Sequence, residues 1–375
     1  MERNGRATYV MIGGFLGAGK TTAVARVART LTERGLKVGL ITNDQSSGLV
    51  DTSILRSHGY AVEEIPGGCF CCRFGSLAEA AEKLEAESRP DVFLAEPVGS
   101  CTDLVATVSY PLRRIYGERF RIAPLSVLVD PGRARRVLGL TEGRGFSEKV
   151  VYVYEKQLEE ADLIVVNKTD LLSAAELDEL LAALRARYPH AEVLSASAKS
   201  GAGTDAWFDR VLDAEAEERP TMAVDYQVYA EGEALLGWLN CTSRVAVSGE
   251  PVDANQLLID LAEVVSEQLD AAGAEIAHLK ATLDAGDASG RLAALSVTAG
   301  DAEPDLREAL VDGVTGGELI LNLRAEGDPD LLRQVAWRAL DAVAASRPGL
   351  SLSVEHEEFF RPAPPQPTHR DEVTA

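Results

Sequence analysis

The stretch Gly14-Phe15-Leu16-Gly17-Ala18-Gly19-Lys20-Thr21 satisfies G-x-x-x-x-G-K-[ST] at every fixed position. It follows a short apolar run at 9–12 and opens an amphipathic run at 21–34, so it lies where a strand turns into a helix, the context that gives this motif its meaning. Glycines let successive backbone N–H groups curl around phosphate oxygens, and the helix N-terminus adds a favourable dipole. In this reading Gly14, Gly17, Ala18 and Gly19 form a nucleotide-phosphate cradle and Lys20 reaches the β- and γ-phosphates. Thr21 then holds Mg²⁺, and Thr22 donates to the α-phosphate.

Working outward, buried-looking runs at 38–42, 61–65, 92–95, 124–129, 163–166 and 192–195 alternate with amphipathic segments such as 76–87 and 174–187. This alternation predicts an α/β fold: a mostly parallel P-loop sheet with helices on both faces, spanning residues 1–217. A polar stretch at 218–223 containing Pro220 reads as a linker. From 224 to 360 the pattern changes. Strand-like runs at 224–247, 274–283, 291–299, 318–324 and 350–354 mix with helical runs at 254–272 and 330–345, which predicts a smaller C-terminal α+β domain of split βαβ type, for target recognition or regulation. The Pro-rich polar segment 361–375 reads as a disordered tail.

Asn167-Lys168-Thr169-Asp170 follows the run at 163–166 and matches N-K-x-D. A carboxylate at Asp170 accepts from both N1–H and N2–H₂ of guanine, a pair that adenine does not offer. Asn167 braces the loop, the Lys168 stem covers the base, and Ser197-Ala198-Lys199 after the next strand closes over it. Spaced after the phosphate motif, these elements favour GTP/GDP over adenine nucleotides. Glu96 ends the run at 92–95 and precedes Gly99 by three residues, which suits a second Mg²⁺-associated element and a γ-phosphate switch; Asp44 is a candidate carboxylate of a first switch, for Mg²⁺ or the attacking water. Thr21, Glu96 and Asp44 are thus the expected Mg²⁺ set, and with Lys20 the expected catalytic set. Solvated loop acids are the plain alternative for Glu96 and Asp44.

The 375 residues carry five cysteines, and Cys69, Cys71 and Cys72 fall within four positions, just after Gly67-Gly68. Three thiols this close cannot all pair with one another without strain. Thiolates are soft ligands, suited to Zn²⁺ and also to cobalt, nickel or Cu(I). Three sulfurs leave a fourth position open, as a transfer site requires, and Cys101, five residues after Glu96, is a candidate fourth ligand. Thiol redox sensing and inert burial are the competing readings, and inert burial is the one taken for Cys241.

Composition narrows the classes further. The formal net charge is −22, from 37 Lys and Arg against 59 Asp and Glu, which argues against a generic nucleic-acid or anionic-membrane partner. A hydrophobic content of 46% gives enough apolar mass for two cores. Five cysteines make no disulfide framework in a chain this long, and neither a signal-peptide pattern nor an eighteen-residue apolar run is seen, so a reducing cytoplasm is the expected setting. The basic run Arg133-Ala134-Arg135-Arg136 reads as a solvated helix start, Trp207, Trp238 and Trp337 as core or interface anchors, and His356 and His369 as isolated.

In their order GGFLGAGKTT, GCFCC, EPVG and NKTD resemble the CobW-type P-loop GTPases, relatives of the urease and hydrogenase nickel-insertion GTPases. The resemblance covers residues 13–170. It implies a GTPase (GTP + H₂O to GDP + phosphate) acting as metallochaperone or metal insertase, with Zn²⁺ or Co²⁺ held at Cys69, Cys71 and Cys72 and passed to a client metalloprotein. A nucleotide-dependent homodimer is one assembly left open. The chain departs from the family pattern in its first switch, where Asn43-Asp44-Gln45-Ser46 stands and Gly48 is displaced, and it has no His-rich loop. The alternative function is a GTP-controlled assembly switch for a cofactor-dependent enzyme, in which metal is structural or absent.

Overall fold

The computed structural model describes residues 6–43, 60–286 and 291–374. They divide into two compact units, Met1–Ala230 with Pro364–Ala375, and Glu231–Ala363.

The first unit is built from β1 (Ala7–Gly14), α1 (Lys20–Glu33), β2 (Val38–Asn43), β3 (Ala61–Ile65), α2 (Phe74–Ser88), β4 (Val92–Glu96), α3 (Tyr110–Tyr116), β5 (Phe120–Ile122), β6 (Ser126–Val129), α4 (Pro131–Val137), α5 (Glu148–Glu159), β7 (Leu163–Val166), α6 (Ala174–Arg187), β8 (Glu192–Ser195), α7 (Thr204–Asp213) and α8 (Tyr226–Leu235), whose last residues enter the second unit. The strands lie in the order β3-β2-β4-β1-β6-β7-β8, with β5 beside β1, and every pairing is parallel. The expected parallel α/β sheet is present. Its central strands are buried along almost their whole length because helices cover both faces, which explains their largely apolar sequences. Val10, Ile12, Val24, Val27, Leu31 and Trp207 share one of the cores between sheet and helices. The sheet reverses its winding about β1, so the loops after β1, β4 and β7 gather at the carboxyl ends of the strands, where such sheets bind ligands.

The second unit holds β9 (Leu236–Val247), α9 (Ala254–Ala271), β10 (Glu275–Asp284), β11 (Leu292–Val297), β12 (Asp305–Glu308), β13 (Gly316–Glu326), α10 (Pro329–Ala345) and β14 (Leu350–Phe360). Its sheet runs β12-β11-β10-β13-β9-β14, antiparallel throughout. β9-α9-β10 and β13-α10-β14 interleave, each leaving one strand's width for a strand of the other, which is the split βαβ plan expected from the sequence. Leu257, Leu258, Leu261 and Val265 of α9 and Leu332, Val335 and Ala339 of α10 supply the apolar stripes of one shared core.

Three expectations need correction. The 224–247 run is not one strand: α8 occupies its first part, because Asp225 Oδ1 accepts from the N–H groups of Gln227 and Val228 at 2.9 and 3.2 Å and caps a helix there. The stretch 218–223 is not a free linker, since Arg219 donates to the Glu160 carbonyl and pairs with Asp162 at 3.1 Å. Nor is 361–375 a disordered tail. Its residues up to 374 are placed, and from Pro364 on they belong to the first unit, held by backbone bonds such as Thr368 N–H to the Cys71 carbonyl at 2.9 Å and Asp371 N–H to the Ala106 carbonyl at 2.9 Å. Prolines that leave a free peptide extended also leave little backbone freedom to lose on docking, so few contacts suffice.

Candidate nucleotide and thiol site

The loop between β1 and α1 closes on itself. Gly14 has φ +128°, and a Cβ there would lie 2.4 Å from the Leu128 carbonyl oxygen, so the paired strand itself demands glycine. Gly19 has φ +87°, and a Cβ there would lie 2.5 Å from Asn167 Nδ2. Lys20, almost fully buried, donates from Nζ to the carbonyls of Gly14 at 2.9 Å and Phe15 at 3.5 Å, so its ammonium folds back into the loop that precedes it. Thr21 and Thr22 stand on the first turn of α1. Arg133 corrects the solvated reading of its run: it is buried, donates to the Leu16 carbonyl, and lies 5.1 Å from the ring centres of both Phe15 and Phe146.

Asn167 braces the loop that follows β7. Its Nδ2 donates to the Ala18 carbonyl at 2.9 Å, and its Oδ1 accepts from the Ala198 N–H at 2.9 Å, tying the phosphate loop to the Ser197-Ala198-Lys199 loop. Arg26 fastens that loop to α1 through the carbonyls of Ala198, at 3.0 Å, and Lys199, at 2.6 Å. Ser197 Oγ donates to Asp170 Oδ1 at 2.5 Å, which fixes one oxygen of an otherwise exposed carboxylate. Lys168, at φ +55°, reaches back with Nζ to the Gly17 carbonyl at 2.8 Å and to Asp130 Oδ2 at 2.7 Å. Burial pushes the Asp130 carboxyl up, but Lys168 and Arg133 overcome it and hold it below its ordinary value. Asp130 went unread in the sequence, although Asp130-Pro131 is the usual pairing of a helix N-cap with proline in the first turn.

Glu96 ends β4 with its Oε1 accepting from Thr21 Oγ1 at 2.9 Å, so the two expected Mg²⁺ residues face one another as hard oxygen donors. Asp44 lies outside the described residues. Gly99 is pressed against the phosphate loop: a Cβ there would be 2.8 Å from Leu16 Cδ2 and 2.9 Å from Leu16 N. Gln157, buried on α5, then clamps the chain by donating Nε2 to the carbonyls of Gly99 at 2.9 Å and Cys101 at 2.8 Å. Beyond it, Glu160 accepts from Val105 N–H at 3.0 Å and Thr102 Oγ1 at 3.3 Å, and Tyr229 Oη accepts from Thr102 N–H at 3.2 Å. Gln157, Glu160 and Tyr229 carried no sequence signal, because their partners lie more than fifty residues away.

Cys69, Cys71 and Cys72 converge in a turn between β3 and α2. Their sulfurs are 2.6 Å (Cys69–Cys71), 3.0 Å (Cys69–Cys72) and 3.8 Å (Cys71–Cys72) apart. Gly67 and Gly68, both at positive φ, bend the chain into this turn, and Asn43 Nδ2 holds it by donating to the carbonyls of Ile65 at 2.8 Å and Gly68 at 2.6 Å. Cys101 joins them through a thiol hydrogen bond to Cys69. Hydrogen bonding with Cys101, Cys71 and Cys72 converges on the Cys69 sulfur and lowers its pKa. The shared hydrogen bond to Cys69 pushes Cys71 up and Cys72 up to about 11. Sulfurs around one tetrahedral zinc, at about 2.3 Å from the metal, stand about 3.8 Å apart, so a modest spreading of this trio accommodates such an ion. Among the described residues these three form the His/Cys/Asp/Glu group dense enough to hold a metal. Cys241 is buried in β9 beside Ser243, with its thiol pKa raised by burial, in keeping with an inert role.

No helix among the described residues is long and apolar enough to cross a membrane. The chain is 30% identical over 194 residues to a zinc chaperone CobW of Sinorhizobium sp, covering 46% of this chain and 54% of the relative. It is 29% identical over 163 residues to a zinc chaperone YeiR of Escherichia coli strain K12, covering 43% and 46%. The chain thus spans about half the length of the curated relatives it matches. Among solved structures, a Zn(II)-bound YjiA GTPase from E. coli matches with 14% identity and a TM-score of 0.36, over 89% of this chain and 99% of that one. The family model described as CobW/HypB/UreG, nucleotide-binding domain, matches residues 8–195, which contain the phosphate loop, the thiol turn, Glu96 and Asn167-Lys168-Thr169-Asp170 at the positions just described, and the chain belongs to that family.

Proposed function

We propose that this chain is a GTP-hydrolysing metallochaperone that holds a soft divalent metal at Cys69, Cys71 and Cys72 and hands it to a client protein. The observation that carries the reading is the convergence of three sulfurs within 3.8 Å, with Cys101 bonded to one of them from the chain that leaves Glu96. Glu96 meets Thr21, and Gly99 abuts Leu16, so a change at the γ-phosphate position has a short covalent path, five residues long, to the thiols. Zinc suits an all-thiolate shell best and cobalt is the runner-up. The proposed cofactors are GTP/GDP and Mg²⁺, whose charge neutralises the phosphates during transfer to water. For its part the chain supplies the N–H cradle, the Lys20 ammonium, the Thr21–Glu96 oxygen pair and the Asp170 carboxylate that selects guanine.

The test is anaerobic purification from metal-replete cells followed by elemental analysis, with and without a non-hydrolysable GTP analogue, on wild type and Cys71→Ser. Near-stoichiometric zinc or cobalt, lost in the variant and released or tightened by the analogue, is the expected result. Metal-free wild-type protein after that handling overturns the metal reading. Metal whose affinity ignores nucleotide overturns the gating.

A further inference from the structure

The segment that follows Pro364 crosses the thiol turn in an extended path and is bonded to it at successive positions. The Gln366 N–H donates to Cys72 Sγ at 3.2 Å. Thr368 gives its N–H to the Cys71 carbonyl at 2.9 Å and its Oγ1 hydrogen to the Cys72 carbonyl at 3.1 Å. The His369 ring meets Phe74, two residues past Cys72, edge-on at 4.9 Å. Arg370 Nε then donates to Asp103 Oδ2 at 2.8 Å, where the Tyr226 hydroxyl also donates at 2.6 Å. Asp371 closes the run with a two-point pair to Arg114 at 2.8 and 3.2 Å, and the Val373 carbonyl accepts from Thr221 N–H at 3.0 Å.

We propose that residues 366–373 are a strap that closes the thiol turn, latched by Arg370 on Asp103, and that it must lift before a metal or an acceptor protein reaches Cys69, Cys71 and Cys72. Two features make the contact a latch and not ordinary core. The strap contains no helix or strand of its own, so it can open locally without unfolding the sheet. Asp103 is 1% exposed at φ +64°, a costly placement for a carboxylate unless a cation comes to it. Pro364, Pro365 and Pro367 keep the approach extended, which limits the entropy lost on closing. Asp103 also stands two residues beyond Cys101, so the latch rests on the same chain that descends from Glu96. A recipient protein would therefore have to supply an extended segment able to take the strap's place, or meet it already open.

That thiols are covered is independent of metal; that covering controls metal exchange rests on the function proposed above. The test measures both in the full chain. Reduced, metal-free wild type, Arg370→Gln and Thr368→Pro are treated with N-ethylmaleimide and mapped by peptide mass, with Cys241 in β9 as internal control. Zinc-loaded samples are then mixed with a chromogenic chelator. Arg370→Gln removes the latch charge while Asp103 keeps Tyr226, and Thr368→Pro removes the amide that meets Cys71. Labelling of the Cys69–Cys72 peptide is expected to rise about tenfold or more in both variants, with Cys241 unchanged and zinc transfer accelerated in step. Labelling rates equal to wild type in both variants overturn the strap. Faster labelling with no zinc retained by any of the three proteins leaves the strap standing and removes the metal reading instead.

Discussion

Thr21 Oγ1 donates to Glu96 Oε1 across 2.9 Å, so the first turn of α1 and the end of β4 are locked together before any phosphate is considered. In the proposed function this hydroxyl and carboxylate share one hard cation or its water, and the two partners differ in what they can lose. Glu96→Gln keeps an oxygen for the Thr21 hydroxyl but removes the charge. GTP binding is expected to stay within a few-fold of wild type. Single-turnover hydrolysis should fall about 10–100-fold, the usual cost of losing an outer-sphere partner of a metal, with a higher Mg²⁺ requirement. Unchanged hydrolysis at limiting Mg²⁺ would remove Glu96 from the cation site.

Asp170 is exposed but held, because Ser197 Oγ donates to one of its oxygens at 2.5 Å, and in the proposed function this carboxylate meets the guanine base. Replacing it by Asn puts an N–H₂ where guanine offers its own donors. Losing one charge-assisted hydrogen bond costs about 1.5–3 kcal/mol, so Asp170→Asn is expected to weaken GTP about 10–100-fold. Xanthosine triphosphate, with a carbonyl at C2, should gain. Competition measurements with GTP, ATP and xanthosine triphosphate read the exchange directly, and a variant that retains full preference for GTP contradicts the assignment of the base site.

Gly99 lies so close to the phosphate loop that a methyl group would sit 2.9 Å from Leu16 N, a backbone atom that cannot swing aside. Gly99→Ala must therefore push the 96–101 chain and the phosphate loop apart. Nucleotide affinity and hydrolysis are both expected to drop by about tenfold or more, with a stability loss of about 1–3 kcal/mol from the overpacked contact. Gly145, in open space, is the matched control: Gly145→Ala should leave nucleotide affinity unchanged. Isothermal titration with GDP and thermal denaturation separate the two effects.

Local pattern carried much of this architecture. The strand Leu163–Val166 is marked out by its unbroken apolar run, as a strand buried in a parallel sheet should be, and the helix Ala174–Arg187 by its amphipathic spacing. The phosphate loop, Asn167, Ser197 and the three thiols were legible because their spacing is short and their chemistry particular. The second ring was not. Asp103 meets Arg370 across 267 positions, and Gln157 and Glu160 meet the 99–105 chain across more than fifty, so no window of sequence contains both partners. Tyr226 and Tyr229, one helical turn apart on α8, look like strand residues until Asp225 caps them and they find Asp103 and Thr102. Composition also misled at 361–375, where prolines that argue against folding alone equally favour docking.

Glu160 offers a pH signature that isolates this second ring. Burial, with a smaller contribution from the Asp103 carboxylate, pushes its pKa from 4.5 to about 8, against the lowering effects of the Val105 N–H, Arg219 and Thr102. In the unfolded chain the carboxyl ionises near 4.5, whereas in the folded protein it keeps its proton until about pH 8. Between those values the native state holds a proton that the unfolded state has released, so stability falls as pH rises, by up to about 1.4 kcal/mol per unit, and the loss is complete above the folded pKa. Asp103 and Asp162, also raised by burial, add a loss of the same sign. Glu160→Gln stays neutral at every pH, can still accept from Val105 N–H, and lets the Thr102 hydroxyl turn to accept from the new amide. Its melting temperature should therefore fall less than that of wild type between pH 5.5 and 8, by about 3 °C per unit at most for a domain of this size. Parallel slopes in the two proteins would show that Glu160 is ionised when folded, and that the 101–105 chain is held by a charged carboxylate and not by a carboxylic acid.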